Sequence, residues 1–451
     1  MTRPVHVAIV SLGCAKNLVD TEVMAGTLAT AGIILDADPE RADVLLINTC
    51  SFIADARTEA ESRIREAVAW KRARPARRIV VAGCLPQRNL PETRERFPEV
   101  DLFISLDDVP RIAQLIGRLL RGEATGREPD AIATFAAPQY LYDESAPRLL
   151  LTPASFAYVK IAEGCDHGCR FCAIPSIRGR QRSRQVASVL AECRQLLAGG
   201  VSELNLIAQD TTRYGHDLPG NPGLVALLRQ CDGIEGRFWL RVLYTHPRHL
   251  SEELLALFAA SRRLVRYIDV PLQHISDHVL RDMGRRMGGD ETRQLLRRIR
   301  AAVPQAAVRT TFIVGYPGET ADDFAELLEF VRAFRFERLG VFAYSPEPGT
   351  PASRIREALV PAEIAAQRRA QLMELQQGLS LERNRALVGQ TLEVLLDGRR
   401  GRRTLVGRTF ADAPEVDNTV LVRAPGKGLK LGFAQVRITA AAPYEISGEL
   451  A

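Results

Sequence analysis

The segment EGCDHGCRFCAIPSIRGRQRSR, residues 163–184, places Cys165, Cys169 and Cys172 in the spacing C-x3-C-x2-C and runs on through Arg178, Arg180, Arg182 and Arg184. Three thiolates this close together can hold three irons of a four-iron four-sulfur cluster and leave the fourth iron open to a small molecule. A structural zinc wants four ligands, and His167, lying between two of the cysteines, is awkwardly placed to complete a paired knuckle. Cys14, Cys50 and Cys84 form a second set, each at the C-terminal end of an apolar run: AIVSLGC, LLINTC and VVAGC. A single cysteine after a strand is ordinarily a small buried residue. Three at equivalent places in successive units read instead as ligands of a second cluster, because the strand ends of a parallel sheet share one edge. Cys193, in VLAECRQLL, and Cys231 read as packing residues, and His246 and His249 in YTHPRH have no cysteine set with which to bind a metal.

These residues need elements to hold them, and the chain falls into three blocks. In the first, VHVAIVSLGC, VLLINTC and RIVVAGC alternate with helical patterns, the rhythm of a parallel α/β sheet. A proline-bearing linker runs from about residue 122 to residue 152. The alternation then restarts and can be counted six times, at FAYVKIA, VSELNLIA, RFWLRVL, RYIDVP, AVRTTFIV and RLGVFAY. Six such units are too few for a closed eight-fold barrel and suit an open one. The C-x3-C-x2-C loop leaves the first of these strands, at the mouth where such folds build active sites. A long polar helix from about residue 361 to residue 388 follows. The tail lacks helical period, and its runs TLEVLLDG, TLVGRTF and GFAQVRITAA read as a small antiparallel β-barrel of OB-like size. The expected domains are 1–140, 150–382 and 383–451.

Bulk properties narrow the class. The 451 residues are 46% hydrophobic and 25% charged, with no apolar run approaching the roughly 18 residues of a membrane span, so no membrane is expected. The N-terminus MTRPVHVAIVSLGC has no signal-peptide pattern, and a cytoplasmic location is expected. A net charge of +6 accommodates a nucleic-acid or ribonucleoprotein partner without requiring one. In a reducing compartment eight cysteines point to metal or chemistry rather than disulfides.

The C-x3-C-x2-C motif, with Phe171 before its last cysteine, resembles the signature of the radical S-adenosylmethionine enzymes. That resemblance implies that S-adenosylmethionine binds the open iron and is cleaved to a 5′-deoxyadenosyl radical. It also puts Phe171 against the adenine, the alternative being a hydrophobic loop anchor. Two three-cysteine sets followed by a β-barrel resemble the methylthiotransferase family over nearly the whole chain, with the barrel as its TRAM domain. The family implies two four-iron four-sulfur clusters, the N-terminal one carrying sulfur that is methylated and passed to an unactivated carbon. Its members act on adenosine in tRNA or on an aspartate β-carbon of small-subunit ribosomal protein S-twelve. SLGCAKNLVD, NTCSFIADARTE, LNLIAQDTTRYG, DVPLQH and RTTFIVGYPGET look like the second kind. Ala15 and Gln185 stand where the family more often has proline, and neither is a proposed ligand.

Further site residues follow from position. Arg241 lies among apolar neighbours in FWLRVLY, and since an unpaired buried guanidinium is costly, it is expected to meet the cofactor carboxylate. Gln209 with Asp210, and Gln273, follow the second and fourth strands and either reach the cofactor or substrate or stabilise their loops. Gly315 and Gly318 in IVGYPGET either admit a ligand to the backbone or form a tight turn. The arginine run binds phosphate or carboxylate, or is a solvated surface. The implied partners are ribosomal protein S-twelve, free or within the small subunit, an electron donor such as flavodoxin or ferredoxin, and RNA through the TRAM domain. The rival from another class is an iron–sulfur electron carrier with an RNA-binding tail.

Overall fold

A computed structural model describes residues 4–123, 135–423 and 431–451, so residues 124–134 of the expected linker lie outside the described residues. The first block runs β1 (His6–Ser11), α1 (Ala15–Thr30), β2 (Ile34–Leu35), β3 (Val44–Thr49), α2 (Ala54–Arg72), β4 (Arg78–Gly83), α3 (Cys84–Arg96), β5 (Leu102–Phe103) and α4 (Ile112–Leu120). Its strands pair in parallel in the order β2-β1-β3-β4-β5. β3 is buried along its whole length because its alternating side chains all find a helix. Val44 and Leu46 pack with Val19, Val23 and Met24 of α1, while Leu45 and Ile47 pack with Ile64, Ala67 and Val68 of α2. Both faces are therefore covered, as a parallel sheet requires.

The second block holds six longer strands, each where the apolar runs predict it: β6 (Phe156–Lys160), β9 (Glu203–Ile207), β10 (Trp239–Val242), β11 (Tyr267–Asp269), β12 (Ala307–Val314) and β13 (Arg338–Ala343). β7 (Ala162–Glu163) and β8 (Arg182–Ser183) form a small antiparallel clasp beyond β6. The helices between them are α5 (Ile174–Arg178), α6 (Val186–Ala198), α7 (Gly223–Asp232), α8 (Glu252–Ala260), α9 (Asp277–Asp282), α10 (Gly289–Ala302) and α11 (Ala321–Phe334). The strands pair in parallel as β10-β9-β6 and β11-β12-β13, and a bridge between Leu240 and Leu264 joins the halves. No described strand closes β6 onto β13, so the barrel is open.

α12 (Ala362–Ala386) leads to β14 (Thr391–Arg399), β15 (Thr404–Arg408), β16 (Thr419–Arg423), β17 (Gly432–Ala441) and β18 (Glu445–Leu450), which close a barrel in the order β14-β15-β16-β18-β17. Four seams are antiparallel, as expected, and the β16–β18 seam is parallel. An odd number of strands cannot alternate direction all the way round, so closure forces one parallel seam. This barrel packs on the N-terminal ends of the larger barrel's strands. Glu203, Tyr267 and Arg338, first residues of β9, β11 and β13, meet Arg408, Asp417 and Asp412 of the C-terminal barrel. The opposite end of the larger barrel, where its βα loops emerge, faces the first block.

Candidate active site

Cys14, Cys50 and Cys84 follow β1, β3 and β4, which are neighbours in the sheet, so strand spacing alone brings their loops together. Two glycines make the turns. A Cβ on Gly13 (φ +95°) would lie 2.6 Å from the Cys50 Cβ, and one on Gly83 (φ +91°) would lie 2.3 Å from Asn48 Oδ1. Burial, reinforced by Cys84 and Cys14, pushes the Cys50 thiol up to about 12. Burial also raises the Cys84 thiol, against the pull of the Arg178 guanidinium, whose Nη2 lies 3.3 Å from its sulfur. Without metal these sulfurs prefer their protons, and bound iron is the cation that would replace them.

Cys165, Cys169 and Cys172 occupy the loop after β7. It is pinned by the Cys165 N–H on the Gly179 carbonyl (3.1 Å) and the Cys172 N–H on the Cys169 carbonyl (3.1 Å). The Arg170 N–H is likewise held on the Met283 carbonyl (3.0 Å). Gly164 (φ +80°) passes so close to the α5–β8 connection that a Cβ would lie 2.1 Å from the Arg180 carbonyl oxygen. Burial pushes the Cys165 thiol to about 11 and the Cys172 thiol to about 12. Donors already face the sulfurs: the His167 N–H is 3.4 Å from Cys165 Sγ, and Arg285 Nη1 is 3.7 Å from Cys169 Sγ.

Each set thus offers three grouped thiols, and the two other cysteines, Cys193 and Cys231, lie fully buried in the apolar core as packing residues. The donor chemistry fits a four-iron cluster with one unfilled corner at each set, and fits a four-ligand zinc site at neither.

Between the sets lies a buried ion network. Arg178 Nη1 donates to Asp20 Oδ2 (2.7 Å) and Glu163 Oε2 (3.1 Å), and Nη2 to Asn17 Oδ1 (3.1 Å) as well as to the Cys84 sulfur. Lys160 Nζ donates to Asp20 Oδ1 and Glu163 Oε2 at 2.5 and 2.6 Å. Burial would raise the Glu163 carboxyl, but Arg178 and Lys160 outweigh it and hold it well below the usual carboxylate range. Asp20 and Asn17 belong to α1 and the other three to the larger barrel, so the network locks one cysteine set against the other.

The remaining sequence-predicted residues divide. Gln209 reaches this network, its amide donating to Glu163 Oε1 while its own Oε1 is buried without a partner. Gln273 is half-buried with φ +75°, its backbone paired to Thr311 and Ile313. Phe171 packs among Val279, Met283, Tyr316 and Ala352, as the anchoring alternative requires.

Arg241 is corrected. Its side chain is fully buried, but Nε is on Glu203 (2.7 Å), Nη1 on the Phe410 carbonyl (2.9 Å), and the guanidinium stacks on Tyr267. The carboxylate it meets is the protein's own, facing the C-terminal barrel, while Nη2 is buried without a partner. Gly315 has φ +75° and donates its N–H to Glu319 Oε2, as a tight turn requires, and a Cβ there would lie 2.4 Å from the Ala365 Cβ of α12. The arginine run is neither a phosphate claw nor a solvated stripe as a whole. Arg178 and Arg184 are buried, the latter on Glu192 and Ser188; Arg182 caps the Arg178 and Arg180 carbonyls; only Arg180 stands in solvent.

Three imidazoles that look unrelated in the sequence converge. His167, His246 and His249 have ring nitrogens within 4.8 Å of one another, and His167 Nε2 is 2.5 Å from Asp210 Oδ2. The His167 and His246 rings stack at 4.1 Å and 16°. Stacking aims their in-plane lone pairs side by side rather than at a common ion, so the group is a packed polar wall. Lys16, which no sequence signal singled out beyond its nearness to Cys14, is buried with its ammonium 3.2 Å from the centre of the Tyr244 ring.

Three family models match the chain: "Uncharacterized protein family UPF0004" over residues 6–105, the radical SAM superfamily over 159–331 and the TRAM domain over 388–451. Among curated relatives, the ribosomal protein uS12 methylthiotransferase RimO of Pelotomaculum thermopropionicum is 44% identical over 448 residues, covering 99% of both chains. That of Heliobacterium modesticaldum is 44% identical over 450 residues, covering 100% of this chain and 95% of its own. Among solved structures, the radical S-adenosylmethionine methyltransferase TsrM from Kitasatospora setae superposes with a TM-score of 0.55 at 18% identity, over 78% of this chain and 75% of that one. The cobalamin-dependent S-adenosylmethionine radical enzyme OxsB gives 0.51 at 14%, over 82% and 56%. At such identities these two establish the fold alone.

Proposed function

Because the chain belongs to the ribosomal protein uS12 methylthiotransferase family, we propose that it inserts a methylthio group at the β-carbon of an aspartate in that protein. The observation that carries this reading is the pair of three-cysteine sets that face each other across the Arg178–Asp20–Glu163–Lys160 network. One cluster alone would serve radical formation, whereas sulfur insertion asks for two, held in fixed relation.

Cys165, Cys169 and Cys172 hold the cluster of the barrel, and Cys14, Cys50 and Cys84 hold the auxiliary one. When bound, the first with S-adenosylmethionine supplies a 5′-deoxyadenosyl radical and the second supplies sulfur, chemistry that no side chain performs. The protein's part is position and charge. Arg178 and Arg285 donate toward cysteine sulfur, which stabilises a charged thiolate in a buried place. Gln209 and Gln273 lie on loops at the mouth and supply amide groups to cofactor or substrate. Phe171 braces the cluster loop from its apolar side and thereby fixes the loop's edge toward the cofactor. The network holds the N-terminal block, 1–140, on the barrel, 150–382, and keeps the distance between the two sets constant. The C-terminal unit, 383–451, lies at the far end of the barrel and serves as a docking platform for the ribosomal protein or adjoining RNA. A flavodoxin or ferredoxin is the electron donor, and the enzyme works in the cytoplasm on uS12, free or assembled. Among the described residues no helix is long and apolar enough to cross a membrane.

The test is mass spectrometry of two substrates incubated with the anaerobically reconstituted enzyme, S-adenosylmethionine and a reductant: uS12 and unmodified tRNA. A methylthio group on one aspartate of uS12 and none on tRNA is the expected result. Modified tRNA with unmodified uS12 would refute the substrate assignment while leaving the chemistry in place. Neither product, with no cleavage of S-adenosylmethionine, would favour an electron carrier.

A further inference from the structure

A buried cation stands between the Cys14 loop and the barrel mouth without a carboxylate of its own. Lys16 opens α1 two residues after Cys14 and is only 8% exposed. Among the described residues no carboxylate lies within 4.0 Å of its ammonium, and its side-chain hydrogen-bond partner is the neutral Tyr244. Tyr244 and Cys14 attract it most, and Glu163, which attracts it less, is already engaged by Lys160, Arg178 and Gln209. Its one close partner is the Tyr244 ring, a cation–π contact at 3.2 Å. A ring face and one phenolic oxygen offset part of the desolvation of an ammonium but supply neither an opposite charge nor acceptors for all three of its N–H groups.

Tyr244 is itself held in a costly conformation. It is a non-glycine residue with φ +62° in the loop after β10, at the mouth of the barrel. Its N–H is fixed on Asp269 Oδ2 at 2.7 Å. Strain of this kind persists where surrounding structure enforces it, and here the effect is to bring the ring against Lys16. The packing therefore pays twice to keep one ammonium buried between the auxiliary cysteine loop and the barrel mouth.

Resting on the substrate reading above, we infer that Lys16 is the receptor for the side-chain carboxylate of the aspartate that is modified. The carboxylate carbon is one bond from the β-carbon. A charge-assisted contact to a carboxylate anchored beside Cys14 selects both the residue type and the carbon that faces the sulfur-bearing set. An amide in place of the carboxylate keeps the shape and loses the charge. Lys16 acts by binding, so its signature is discrimination between acid and amide rather than overall rate.

The experiment uses the reconstituted holoenzyme with full-length uS12 carrying either the target aspartate or asparagine at that position, and measures kcat/KM for each by mass spectrometry of the product. The wild type is expected to prefer the acid by about 10- to 100-fold, the range for a hydrogen bond to a charged group. Lys16→Met and Lys16→Gln should bring that ratio to within about 3-fold of unity, and Lys16→Arg should keep most of it. Because the ratio is internal to each variant, a partial loss of cluster or fold does not move it, and iron content is measured on every variant. Where turnover is too slow, the ratio of dissociation constants for the two uS12 forms reads the same selectivity. Retention of the wild-type ratio in Lys16→Met, or a wild type that does not discriminate, overturns the inference. A wild type that modifies tRNA and neither form of uS12 removes the substrate reading and the inference with it, an outcome distinguishable from the first two.

Discussion

Replacing Asp20 by asparagine tests the ion network that joins the two halves of the site. Asp20 contacts two cations, Lys160 Nζ at 2.5 Å and Arg178 Nη1 at 2.7 Å, and all four charged members are nearly excluded from solvent. With Lys160 and Arg178 against Asp20 and Glu163 the wild-type group is neutral; Asp20→Asn leaves it at +1. Each contact is worth about 4 kcal/mol at an effective dielectric constant near 20, so about 8 kcal/mol of attraction is removed. Relief of the Asp20–Glu163 repulsion and of the desolvation of one carboxylate returns roughly half, for a net loss of about 3–5 kcal/mol. For domains of this size that corresponds to a fall of about 6–20 °C in the thermal midpoint.

The assay is anaerobic thermal unfolding of the iron-loaded protein, wild type, Asp20→Asn, Lys160→Met and the double variant. Neutrality returns in the double variant, which is therefore predicted to cost about 1–3 kcal/mol less than the sum of the two single substitutions. A cost below about 1 kcal/mol for Asp20→Asn, or a double variant no better than the sum of its parts, would show that the charges are solvated and do not lock the blocks together.

Other expectations concern single residues. Gly13→Ala forces a Cβ to within 2.6 Å of Cys50 and is strained at φ +95°, so iron content should drop to about half while the barrel cluster keeps its spectroscopic signature. Arg241→Met leaves Glu203 to Arg408 alone and should destabilise the C-terminal barrel's seat by about 3 kcal/mol or more, read by urea unfolding, with no change in affinity for S-adenosylmethionine. Asp323 shows a pH signature: burial raises its carboxyl, but hydrogen bonds from Ser276 and Thr320 win and lower it to about 2. Its contribution is therefore complete above the unfolded value of about 3.9 and is lost as pH falls toward the folded one. The stability difference between wild type and Asp323→Asn in the metal-free chain should be flat above about pH 5 and vanish in acid, measured by circular dichroism.

Local signals carried most of the architecture. Each of the six barrel strands coincides with an apolar run, because strands buried on both faces read as continuous hydrophobic stretches. The cysteine sets were visible for the same reason: strand ends in a parallel sheet share an edge, so Cys14, Cys50 and Cys84 meet although 36 and 34 positions separate them. What stayed hidden depends on partners far along the chain. Arg241 needed a carboxylate, and nothing near it in sequence shows that Glu203 and the Phe410 carbonyl supply its partners. Gly315 was visible as a special backbone position, but its close packing on Ala365 of α12, far along the chain, was not. The arginines at 178, 180, 182 and 184 alternate in type alone; the clasp of β7 and β8 and the turn before it send them to different surroundings. Lys16 carried no signal because a buried cation that lacks a carboxylate partner is recognised only once its neighbours are known.

The central claim, two open-cornered clusters in one enzyme, is met most directly by iron and sulfide analysis of the anaerobically reconstituted protein. The comparison is wild type against Cys165→Ala/Cys169→Ala/Cys172→Ala and against Cys14→Ala/Cys50→Ala/Cys84→Ala. About eight irons in the wild type and about four in each triple variant is the predicted result. A Cys14/Cys50/Cys84 variant that keeps the full wild-type load would contradict it, since those cysteines would then be packing residues and the auxiliary cluster would not exist.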